Sequence, residues 1–171
     1  MSSQYLTLYK MIVLYMLKRS DVPLSKSQIY DFILEKEYTN FLTLQEVFSE
    51  LASQSLISEK TMANRTYLEI TDEGAQTLEF FGNRINPSIR QQVDEYMEAN
   101  SIRIRNEAAI QGNYRKTGEN EYLVHLTAIE NGQSILELKI PVPTEEMAQK
   151  MMDEWKVKNQ DIYQYLFSQL L

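Results

Sequence analysis

Apolar residues recur at helical spacing through the first hundred positions and give way to alternation beyond about Glu107. Leu6, Tyr9, Ile12, Val13 and Met16 predict a first helix that ends near Lys18, where "RSDVPLS" breaks the pattern. Ser25 and Gln28 stand at the S-x-x-Q spacing of a capping box, with Leu24 and Ile29 at the staple positions, so a second helix is expected from Ser25 to about Glu37. The same device recurs at Thr43 and Glu46, with Leu42 and Val47 as its staple. It predicts a third helix with Leu44, Val47, Phe48 and Leu51 inward and Thr43, Gln45, Ser49, Glu50 and Ser53 outward.

"LISEKTMANRTYLEIT" alternates on either side of Ala63 and Asn64 and predicts a two-stranded hairpin. A fourth helix follows from Thr71 as cap to about Gly82. Asn86 as cap and Pro87 at the first helical position then restart a helix whose stripe is Ile89, Val93, Tyr96 and Met97, extended toward Arg105 by Ile104. The joint at Asn83 to Pro87 is the expected domain boundary, giving domains 1–85 and 86–171. Three strands, "AAIQGNYRK", "EYLVHLTAI" and "SILELKI", are joined by "TGEN" and the hairpin signal Asn131-Gly132, which predicts an antiparallel meander. After "PVPT", Thr144 with Glu145 and Glu146 opens a long last helix carrying Met147, Met151, Trp155, Ile162, Leu166 and Leu170. The fold class expected is α+β: a winged helix-turn-helix followed by an α-β-β-β-α region.

Composition narrows the chemistry. With no Cys and one His, His125, the chain lacks the residues for a thiolate or ordinary zinc site or a His-based dyad, and its 5 glycines form no phosphate-cradling loop. Enzymatic activity and a cofactor are therefore not expected. The apolar run Met11 to Leu17 is too short for a membrane span, and no cleavage signal follows Lys18 and Arg19, so a cytoplasmic protein is expected. The formal net charge of -7 excludes a protein that coats nucleic acid by bulk electrostatics.

"YLEITDEGAQTLEFF" is similar to the strand-into-helix phrase of PadR-like and MarR-like bacterial regulators, Y-x-x-T-x-x-G-x-x-x-L. The chain at large resembles an uncharacterised family of Gram-positive winged-helix proteins, a domain of unknown function. That resemblance is carried by "PLSKSQIYDFILEKEYTNFLTLQEVFSELASQSLIS", "LEFF", the Asn-Pro restart, and the final Trp with "DIYQYL". It implies a DNA-binding or regulatory role by analogy. In that role the third helix would enter the major groove, with Thr43, Gln45 and Ser49 at base edges, while Lys26, Lys60, Asn64 and Arg65 meet phosphate and minor groove. The same helix carries Glu46 and Glu50 and no basic residue, which leaves open a second reading: a winged-helix protein-interaction module. A homodimer through the Pro87 to Arg105 helix and the C-terminal helix is expected, because three short strands cannot cover their apolar faces. The Met147, Met151 and Trp155 stripe is read as packing on the meander or at a dimer interface, with a pocket for a small-molecule effector as the alternative reading of the same stripe.

Overall fold

The computed structural model describes residues 3–62, 65–131 and 133–171. It is a mixed α+β chain that divides into two compact units, Met1–Arg105 and Asn106–Leu171. The first unit contains α1 (Ser3–Arg19), β1 (Leu24–Ser25), α2 (Lys26–Glu35), α3 (Phe41–Ser53), β2 (Ile57–Met62), β3 (Arg65–Ile70), α4 (Asp72–Phe81) and α5 (Pro87–Ala99). A further helix, α6 (Ser101–Ala109), spans the division between the units.

β3 lies at the centre of a small antiparallel sheet of order β1-β3-β2, pairing Leu24 with Leu68 on one side and Lys60 with Tyr67 on the other. Its core is the expected one. Ile12, Val13 and Met16 of α1 meet Ile29, Phe32 and Ile33 of α2 and Leu44, Val47, Phe48 and Leu51 of α3, all buried. The Ser25 capping box forms in full: the Gln28 N–H donates to Ser25 Oγ at 3.2 Å and the Ser25 N–H to Gln28 Oε1 at 2.9 Å. Both α2 and α3 end with a non-glycine residue in the left-handed region, Glu37 at φ 56° and Ser55 at φ 58°. At each, paired backbone bonds close the helix: Tyr38 to Ile33 and Glu37 to Leu34, then Leu56 to Leu51 and Ser55 to Ala52. Gly74 sets the closeness of α4, since a Cβ there would stand 2.1 Å from the Leu56 carbonyl oxygen.

Three expectations are corrected in this unit. The third helix starts a turn early: Asn40 is its cap, accepting from the Thr43 N–H at 2.9 Å, and Thr43 is inside the helix and only 6% exposed. The earlier start lets Phe41 stack on Tyr30 with ring centroids 4.8 Å apart, while Leu42 is left 75% exposed and staples nothing. The Pro87 to Arg105 helix is broken at Asn100, whose side chain donates to the Tyr96 carbonyl and whose own carbonyl opens α6. The compact units divide after Arg105 and not near Asn86, because Val93, Met97 and Ile104 are buried in the first unit's core.

The second unit is a meander of β4 (Ile110–Gly118), β5 (Glu121–Glu130) and β6 (Gln133–Val142), followed by α7 (Glu145–Leu170). β4 begins at Ile110 because Ala108 and Ala109, strong helix formers, remain in α6. Asn131 takes φ 52° in the β5–β6 turn, as a two-residue hairpin requires. Val124, Leu126, Ala128 and Val142 are buried on the same side as Ala148, Met152 and Trp155 of α7, so the helix face against the sheet is rotated from the expected Met147, Met151, Trp155 stripe, and Met147 is half exposed. Gly112 admits this packing, a Cβ there lying 3.2 Å from Met152 Cγ. Trp155 is 1% exposed and its indole N–H donates to the Thr127 carbonyl at 3.1 Å.

Candidate functional site

The residues expected to meet DNA are distributed over α2, α3 and the β2–β3 hairpin. Gln45 and Ser49 are exposed and four residues apart, hence one above the other on the outer side of α3. Gln45 also hydrogen-bonds the Tyr30 hydroxyl; burial pushes that hydroxyl above its usual range and the bond to Gln45 opposes the shift. Thr43, expected among the contacts, is buried and offers no side chain to a ligand. Lys60 pairs with Tyr67 across the ladder, and Arg65 lies two residues before Tyr67, so the two cations, both exposed, share one face of the hairpin with the buried Tyr67. Asn64 lies outside the described residues.

Lys26, in the first turn of α2, is already engaged. Its ammonium is 3.3 Å from Glu59 of β2 and 5.4 Å from the centroid of the Phe48 ring, which ties α2, α3 and the hairpin at one corner. A phosphate at this corner has to share Lys26 with Glu59. Glu50 carries the opposite lesson, because its carboxylate forms an ion pair with Lys10 of α1 and its charge is spent inside the unit. Glu46 remains exposed on α3. Neither Glu59 nor Lys10 is recoverable from local sequence, as each partner comes from a different element.

A second polar cluster joins α1 to α5. Asp94 accepts from Tyr15 at 2.9 Å and pairs with Arg19 at 2.8 Å, while Arg90 lies over the Tyr15 ring and donates to the Gly82 carbonyl. Burial, then the bond to Asp94, pushes the Tyr15 hydroxyl upward. Each partner is another protein group, which makes the cluster a brace.

In the second unit, α7 beyond Trp155 carries apolar residues on several sides. Tyr163, Leu166, Phe167, Leu170 and Leu171 line, with Ile135 and Leu136 of β6, an open apolar hollow of about 290 Å³. His125 projects from the middle strand and its Nε2 is 2.6 Å from Glu137 Oε1. Among the described residues no group of three or more His, Asp or Glu side chains is arranged to hold a metal, and no helix is long and apolar enough to cross a membrane.

Compared with curated proteins and with solved structures, the chain has no significant match in either. A family model described as Domain of unknown function (DUF4364) matches residues 9–170, and the chain belongs to that family.

Proposed function

We propose that the first unit is a winged helix and that the chain acts as a cytoplasmic, homodimeric, non-enzymatic transcriptional regulator. Support comes from one observation above all: the element order α1-β1-α2-α3-β2-β3 with a two-residue β1 paired to β3, in which α3 leads directly into the β2–β3 hairpin of that small sheet. Winged helices use that pair to enter the major groove and to touch the backbone or minor groove beside it. Gln45 and Ser49 supply the base-edge chemistry; Lys60 and Arg65 supply phosphate contacts, with Lys26 joining when it leaves Glu59. Neutralisation of Glu50 by Lys10 removes half of the acidic objection to α3.

The apolar stripe of α5 is used by the first unit's own core, so the homodimer is assigned to α7 alone. Tyr163, Leu166, Phe167 and Leu170 fall at i, i+3, i+4 and i+7, the spacing of a helix–helix seam, and Asp161 is the sole charge after Lys158. Two copies can therefore pair their tails with little charge repulsion.

Fluorescence anisotropy with genomic DNA fragments tests the reading. Three phosphate contacts per protomer make about six in a dimer, so log affinity should fall against log salt with a slope of roughly -5. Substituting Lys60 or Arg65 flattens the slope, while Gln45→Ala alters sequence preference and leaves the slope in place. Absence of binding at low salt, or binding indifferent to Lys26, Lys60 and Arg65, overturns it in favour of a protein-interaction module. The exposed Phe41 and Leu42 at the start of α3 favour that second reading, since they offer an apolar contact where a groove-reading helix would enter DNA.

A further inference from the structure

The face of the meander opposite α7 carries a cleft of about 210 Å³ that the DNA-binding reading does not use. Its lining is Asn113, Tyr114 and Arg115 of β4 together with Leu123 and His125 of β5, and Lys139 of β6. The register explains the gathering. Asn113, His125 and Lys139 stand directly opposite one another on the three strands, and Arg115 and Leu123 form the next row on the same face. The outer strands are two strand spacings apart, about 10 Å, a gap that an arginine and a lysine side chain can close from either side. Leu123 gives the cleft an apolar floor between them.

The charge of this cleft runs against its surroundings. The second unit contains six basic and ten acidic residues, yet the two permanent charges in the lining, Arg115 and Lys139, are both positive. The acid that approaches is Glu137, which holds His125 at 2.6 Å and stands 3.8 Å from Lys139 without lining the cleft itself. It orients the imidazole and draws on part of the Lys139 charge.

We propose that this cleft binds a small organic anion: a carboxylate or phosphate group held between Arg115 and Lys139, with the Asn113 amide as a further donor and a compact apolar body resting on Leu123. A guanidinium suits either oxyanion because its fork of N–H donors matches two oxygens at once. The volume fits the body of a small molecule. Nothing in this site depends on the first unit binding DNA.

The single histidine of the chain makes the test direct, because its ring gives one set of imidazole signals and those signals come from the cleft. Sodium phosphate and sodium benzoate are titrated separately into the full chain at fixed pH, with chloride holding ionic strength constant, and the His125 ring resonances are followed by NMR. The expected result is a saturable shift with at least one of the two anions. Saturation by benzoate alone assigns a carboxylate with an apolar body, and saturation by phosphate alone assigns a phosphate group. The Arg115→Ala, Lys139→Ala double variant should raise the half-saturation concentration at least about tenfold, as expected for loss of charge-assisted bonds. Glu137→Gln should lower it by returning the Lys139 charge to the cleft, and Lys150→Ala on α7 should leave it unchanged. If the double variant disturbs the amide spectrum, the single variants Arg115→Gln and Lys139→Gln replace it. A linear shift equal to that produced by chloride, or equal half-saturation in wild type and charge variants, overturns the proposal.

Discussion

Glu50 and Lys26 are each engaged by a partner from another element. The acid that left the protein-interaction reading open is paired with Lys10, and the base expected to meet phosphate is shared with Glu59. Glu59→Gln should therefore strengthen DNA binding severalfold by releasing Lys26, and Lys26→Ala should erase that gain; anisotropy on the single and double variants measures the coupling. At the start of α3 the structure moves the cap. Asn40→Ala should cost about 1 kcal/mol in thermal unfolding, because the Thr43 N–H loses its acceptor. Sequence could not place this cap, since Asn40 has no Glu or Gln three residues on, whereas Thr43 with Glu46 completes the box pattern. What decided between them was the stacking of Phe41 on Tyr30, a contact between two helices.

Helices whose caps and apolar stripes agree were legible in sequence: α2 from Ser25 and Gln28, α4 from Thr71, α5 from Asn86 and Pro87, and α7 from Thr144. The break at Asn100 was not, because Ile104 continues the stripe of α5 in phase across it. The buried side of α7 was misjudged by one residue for a similar reason: Met151 and Met152 both fit a helical period ending at Trp155, and only the sheet chooses between them. Close approaches of elements were also invisible, since a glycine does not announce what lies near it. Gly74→Ala drives a methyl into the Leu56 carbonyl, a backbone atom that cannot turn aside, and should cost about 3 kcal/mol or more. Gly112→Ala meets the flexible Met152 side chain at 3.2 Å and should cost clearly less, with denaturant unfolding of the two variants giving the comparison.

Of the candidate site, sequence supplied Gln45, Ser49, Lys60 and Arg65 as exposed groups, and it misplaced Thr43, whose burial depends on where α3 begins. For the chain as a whole, the proposed homodimer rests on the tail of α7. Light scattering at micromolar concentration should report a dimer, and Leu166→Glu with Leu170→Glu should convert it to a monomer whose salt slope falls to about half, because one protomer keeps only three phosphate contacts. A monomeric wild-type chain sinks the dimer and leaves the DNA test standing. The buried indole of Trp155 has a further consequence. It is the one tryptophan in the chain, and it belongs to the second unit, its indole N–H reaching from α7 to the Thr127 carbonyl of β5. Its emission is thus a private optical channel for that unit, while far-ultraviolet dichroism is dominated by the helices of the first. Superimposed melting curves from the two signals would mean that the units unfold in a single transition, and separated curves would assign a melting temperature to each without cutting the chain.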